Sequence, residues 1–184
     1  MQFRGDLVGD VVLTGRLSSE KIHLSRAQRA LLSWAMVDDH QAVLDLNCKD
    51  AHLLEHLQQQ YHVRSCGICG DAELAHGMRL EFPRAEILYV PGRDIPWKDT
   101  TFDRVLMADK LPQSITLDEW SDEVLRVMKP GGRLLIAVPL FRERLGVGGC
   151  ASREQLMRNL LDHGFRDASF RYALPTHGVI VANA

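Results

Sequence analysis

The sequence has no apolar run near the roughly 20 residues that a membrane-spanning helix needs, so no span is expected. It has no surplus of either charge. Against 22 Lys and Arg stand 24 Asp and Glu, a formal net charge of −2. That balance supplies no overall attraction to nucleic acid or to anionic membranes, and neither is expected as a partner. The opening stretch MQFRGDLVGDVV lacks a continuous apolar core, so no signal peptide is read. Cysteine is sparse, at four residues. Without a secretory signal these are read as reduced thiols in a cytoplasmic protein. Repeats and low-complexity tracts are also missing. A local absence matters more than any of these. The stretch VLDLNCKDAHLLEHL, residues 43–57, runs from strand through turn into helix, and its turn, Asn47 to Ala51, contains no glycine.

What is present is ordinary globular material: 184 residues, 46% hydrophobic and 25% charged, enough for one domain with a real core. Residues 3–17 mix β-branched residues with Gly5, Gly9 and Gly15, a pattern for a short hairpin or arm. Ser25 is placed to cap a helix over 26–37. Strands are predicted at 42–46, 63–68, 86–90, 102–108 and 133–138. Helices are predicted between them at 51–60, 71–80 and 117–128. Pro130-Gly131-Gly132 is expected to end the last of these in a turn. A helix over 152–165, capped by Ser152 and stopped at Gly164, precedes two final strands at 167–173 and 178–183. Alternating strands and helices imply a parallel sheet covered on both faces. The last two strands are too close for a crossover and must pair antiparallel.

Four segments in this order carry a resemblance: VLDLNC, DIPWKDTTFDRVLMA, EVLRVMKPGGRLLIAVP and SREQLMRNLLDHGF. Together they resemble the class I S-adenosylmethionine-dependent methyltransferases, in particular the small-molecule group of ubiquinone and menaquinone biosynthesis. The resemblance covers about residues 40–184. It implies an α/β, three-layer Rossmann-like fold with a mostly parallel seven-stranded sheet and an antiparallel C-terminal hairpin. Residues 1–39 are then an N-terminal arm and a helix packing on that core. These segments are mostly scaffold, and they carry more about fold than about chemistry.

The resemblance also implies where S-adenosylmethionine would bind. The family's D-x-G-x-G-x-G pattern aligns on Asp45 and puts Asn47, Lys49 and Ala51 at the glycine positions, with Cys48 between them. Asn47 can take a left-handed conformation. Lys49 places a cation beside a ligand that is itself a sulfonium. The acidic residue that accepts the two ribose hydroxyls aligns with Cys69, and a thiol is a weak acceptor. Asp71, two residues on, is a substitute only at the start of the next helix. At the adenine contact stand Val90-Pro91, then Gly92, with Asp94 as the nearby carboxylate. Ala108 closes the pocket at the end of strand four. Each lost contact costs about 1–3 kcal/mol, so three cost some 3–9 kcal/mol. A loss of that size moves a micromolar site to tenths of a millimolar at its low end, and to millimolar or worse beyond it.

Other constellations carry less. His52-Leu53-Leu54-Glu55-His56 fits H-x-x-E-H, but Leu53, Leu54 and Leu57 must face the sheet, leaving two helical histidines at the surface; no metal is expected. Cys66-Gly67-Ile68-Cys69 is a C-x-x-C that ends a strand, so its side chains point to opposite faces. Cys48 and Cys69 are expected to be neighbours, which would allow a thiol pair or, with His52, a metal site; buried, inert thiols are the favoured alternative. After strand four there is no N-P-P-Y-like segment, and Asp109 and Lys110 are favoured as an exposed ion pair. No catalytic residue is identified. Two readings stay open. One is a degenerate family member that binds S-adenosylmethionine weakly or not at all and works as a binding or assembly module, as a homodimer or with a protein partner. The other is an active methyltransferase on a small molecule, using Asp45, Asp94 and the end of strand four in compensation.

Overall fold

The structure is a computed structural model, and it describes residues 22–108, 117–140 and 152–184, without the side chains of residues 117 and 118. The expected arm at 3–17 and the Asp109–Lys110 pair lie outside the described residues. The helices are α1 (Arg26–Ala35), α2 (His52–Tyr61), α3 (Ala72–Glu81), α4 (Leu117–Val127) and α5 (Arg153–Asp162). The strands are β1 (Ala42–Asp45), β2 (Arg64–Cys69), β3 (Glu86–Tyr89), β4 (Phe102–Met107), β5 (Met128–Pro139), β6 (Asp167–Leu174) and β7 (His177–Asn183). They form one sheet in the order β3-β2-β1-β4-β5-β7-β6. The first five strands are mutually parallel, and β7 runs antiparallel between β5 and β6. This is the three-layer fold and the C-terminal hairpin that the sequence implies.

Alternation along the strands splits the core in two. Leu44, Val105, Leu134 and Ile136 face α4 and α5, where they meet Trp120, Val124, Leu156 and Leu160. Val43, Leu106, Leu135 and Val179 face the other way, onto Leu31 and Ala35 of α1 and Leu53 and Leu57 of α2. A smaller cluster joins Leu54 of α2 to Ala75 and Met78 of α3 over Cys69 and Ile87. Burying apolar side chains at about 25 cal/mol per Å² on both faces is what drives such a sandwich. Among the described residues, no helix is long and apolar enough to cross a membrane.

Most boundaries fall within a residue of the expectation and α5 ends three residues early, at Asp162; two others differ for a tertiary reason. Helix α1 stops at Ala35 because Met36 turns left-handed, with φ 45°. The Arg104 guanidinium, reaching from β4, donates to the carbonyls of Ala35 and Met36 at 2.8 and 2.7 Å. It satisfies helix-end acceptors that would otherwise be orphaned. Strand β5 starts at Met128, so the Pro130-Gly131-Gly132 turn lies inside an irregular strand start, not ahead of it. The register against β4 shifts there, between the Phe102–Met128 and Arg104–Arg133 pairs. Gly131 takes φ 77°, which suits glycine, and its N–H reaches the Ala184 carbonyl at 3.2 Å.

Candidate cofactor site at the ends of the first two strands

The chain leaves β1 through Asp45, whose carboxyl is buried under the turn and whose Oδ1 accepts the Asn47 N–H at 3.3 Å. The turn is stitched to both neighbouring strands. Leu46 donates its N–H to the Leu106 carbonyl at 2.9 Å, and Cys48 donates to Ile68 at 2.8 Å. Backbone groups at a buried strand end must find partners, and here they find them in β4 and β2.

This path uses no left-handed residue. Asn47, Lys49 and Ala51 are all absent from the positive-φ residues, so the left-handed conformation open to Asn47 is not adopted. The Asn47 N–H is held by Asp45 and the next residue folds inward, which fixes the turn without it. Cys48 is 1% exposed, its thiol donating to the Asp50 carbonyl at 3.3 Å and lying 3.8 Å from the Met78 sulfur. Room for it comes from Gly67 on β2. A Cβ there would meet the Cys48 Cβ and Leu54 Cδ1 at 3.1 Å each. Burial, then the nearby Asp45 and Asp50 charges, push the Cys48 thiol far above its usual pKa. Lys49 is exposed.

The start of α2 is held by Asp50. Its Oδ1 accepts the His52 N–H at 3.2 Å and the Gln28 side-chain amide at 3.0 Å. Gln28 is buried and also closes the capping box of α1 with Ser25. One side chain therefore joins the N-terminal helix to the turn. The sequence carries Gln28 three residues after a capping serine, which signals the box; the long-range link to Asp50 has no signal in the sequence.

At the end of β2, Cys69 is 2% exposed and packs in the α3 cluster with Ala75, Met78 and Ile87. Its thiol donates to the Asp71 carbonyl at 3.3 Å. Asp71 caps α3, accepting the Leu74 N–H at 2.9 Å, as its place at a helix start suggested. At the end of β3, Pro91, Gly92 and Asp94 line a cleft of about 530 Å3 with Arg79, Tyr89 and Pro96. The Asp94 side chain is 95% exposed and sits 3.9 Å from Arg93. The structure thus gathers Asp45, Asn47, Cys48 and Cys69 around the ends of β1 and β2. Gly92 and Asp94 lie at the outer edge strand, and Ala108, half-buried, follows β4.

Leu53, Leu54 and Leu57 are fully buried, as the H-x-x-E-H helix requires, and His52 rests edge-on against Phe82 with ring centres 5.7 Å apart. Among the described residues, no three His, Cys, Asp or Glu side chains converge as a metal site would need. Cys66 and Cys69 face opposite sides of the sheet, in separate core clusters. Burial pushes the Cys66 thiol up to about 12.

The chain belongs to the class I S-adenosylmethionine-dependent methyltransferases: the family model described as a methyltransferase domain matches residues 44–136. A demethylmenaquinone methyltransferase of Clavibacter sepedonicus is 37% identical over 65 residues. That match spans 32% of this chain and only 26% of the relative's own length. Among solved structures, an S-adenosylmethionine-dependent methyltransferase from Aquifex aeolicus superposes with a TM-score of 0.69 at 18% identity. It covers 85% of this chain and 88% of that one. Geranyl diphosphate C-methyltransferase from Streptomyces coelicolor A3(2), in complex with S-adenosyl-L-homocysteine, gives 0.68 at 13% identity, over 85% and 77% of the two chains. At these identities the likeness to both structures is one of fold.

Proposed function

We propose that this methyltransferase-family chain is a non-catalytic binding or assembly module of the cytoplasm, with a cofactor site that no longer holds S-adenosylmethionine well. The observation that carries this reading is the side chain at the end of β2. Cys69 turns its thiol into the α3 cluster and donates to Asp71. A ribose diol there would meet no carboxylate, and Asp71 already serves the helix start. Lys49 stands at a glycine position of the family's pattern, a cation on the turn that would face a ligand carrying a sulfonium. Pro91 offers neither carboxylate nor N–H to an adenine. The lost contacts, at about 1–3 kcal/mol each, would weaken a micromolar site by about 100-fold or more. A retained scaffold with a degraded pocket serves association, with a second copy of the chain or with another protein.

A second reading, an active methyltransferase on a small molecule, is favoured by the 65-residue likeness to the demethylmenaquinone enzyme and by the retained, buried Asp45. Equilibrium dialysis with labelled S-adenosylmethionine separates the two. No saturation below about 0.1 mM is expected for the natural chain. Lys49→Gly with Cys69→Asp is expected to tighten binding. Micromolar binding by the natural chain would overturn the proposal. Sedimentation velocity over a range of concentrations tests the assembly role, which fails if the chain stays monomeric and no protein co-purifies with it.

A further inference from the structure

A second cleft, of about 450 Å3, opens at the other end of the sheet, where β5 and β6 begin and β7 ends. Helix α1 stops at Ala35, and beyond the left-handed Met36 no described helix lies over the last row of the sheet. That row runs Arg133, Asn183, Asp167 across β5, β7 and β6. One step further in, Val181 and Ser169 form the floor, and at the far side stand Arg171 and Trp34.

The two arginines have soft partners. Arg133 points a guanidinium N–H at the Met36 sulfur, 2.8 Å away, and a thioether is a weak, neutral acceptor. Arg171 lies over the Trp34 ring at 5.7 Å, looser than the 4.5 Å of Arg153 on Phe170. None of the ion pairs among the described residues includes either arginine. The carboxylate in the row, Asp167, is instead bonded by the Asn183 amide at 2.7 Å. Trp34 is fixed in place, its indole N–H donating to the Tyr172 carbonyl at 3.2 Å. A held aromatic wall, a floor of Val181 and Ser169, and two guanidiniums outside the ion pairs of the described residues fit a planar ring that carries an anionic group. The volume falls within the usual range for small-molecule pockets.

We propose that this cleft binds a small aromatic anion, an aryl phosphate or aryl carboxylate, with its ring along Trp34 and its charge on Arg133 and Arg171. The site is separate from the turn at β1 and does not rest on the state of the cofactor pocket. Trp34 also reports on it, since the other two tryptophans, Trp97 and Trp120, are buried in the α4 and α5 core. The test is tryptophan fluorescence of the full chain titrated with phenyl phosphate, with benzoate, and with inorganic phosphate, all at constant ionic strength. The expected result is saturation at about millimolar ligand, reasonable for so few atoms, by phenyl phosphate or benzoate. Whichever of the two saturates first identifies the anionic group. Inorganic phosphate, with no ring, is expected to bind about tenfold or more weakly. Arg133→Gln with Arg171→Gln should weaken the aryl anion about tenfold or more, at an unchanged melting temperature. Trp34→Phe should remove the signal. A linear, unsaturated response from both aryl ligands overturns the proposal, as does full affinity in the double arginine variant or a signal that survives Trp34→Phe.

Discussion

Cys48 is packed onto Gly67. A Cβ at Gly67 would lie 3.1 Å from the Cys48 Cβ and 3.3 Å from its sulfur. The glycine that the β1 turn lacks is thus matched by one in the next strand, and the space it leaves is taken by a side chain of the turn.

Gly67→Ala is therefore expected to destabilise the protein by about 1–3 kcal/mol through overpacking. Cys48→Gly in that background should recover part of the loss, so the double variant is less unstable than the sum of the singles. Urea unfolding of the four proteins measures this. Additive losses would mean that the two residues do not press on each other.

Asp103 carries a pH prediction. Burial pushes its carboxyl up, but the Lys129 ammonium at 2.7 Å and the Ala42 N–H at 2.9 Å outweigh that and hold it below its usual value. A carboxyl with a lowered folded-state pKa contributes stability that is present above its unfolded value, about 3.9, and lost as pH falls through the folded one. Asp103→Asn should cost about 1–2 kcal/mol at pH 7, and the gap to the natural protein should narrow below about pH 4. Urea melts across this range check it; a gap constant down to pH 2 would contradict it.

The described thiols make a third case. Cys48, Cys66 and Cys69 are buried, and burial raises the first two above the usual thiol range. Native protein treated with a thiol reagent at pH 7 to 8 should leave all three unmodified, and unfolded protein should label fully. Peptide mapping by mass spectrometry reads this out. Rapid native labelling of Cys66 or Cys69 would restore a redox role for the C-x-x-C.

The element order was legible because strand and helix periods are local, and the spacing of Leu53, Leu54 and Leu57 alone orients α2 against the sheet. The end of α1 was not, since its cap, Arg104, comes from a strand far along the chain. The strand character of Met128 to Gly132 was hidden behind a proline and two glycines that look like a turn. At the candidate site, the missing glycines could be read directly. The inward fold of Cys48 could not, because it depends on β1 and β2 becoming neighbours. The isolated Gly67 within a strand was the available signal, as such a glycine marks close approach by another part of the chain.

The proposed function requires that the ends of β1 and β2 do not grip a nucleoside sulfonium. Thermal unfolding with and without 1 mM S-adenosylmethionine tests it most directly, because a ligand at about 100 times its dissociation constant stabilises by about 2.7 kcal/mol. A working site would raise the melting temperature by several degrees, about 2–4 °C per kcal/mol for a domain of this size. A melting temperature unchanged by the compound is the expected result. A clear, saturable rise would contradict it.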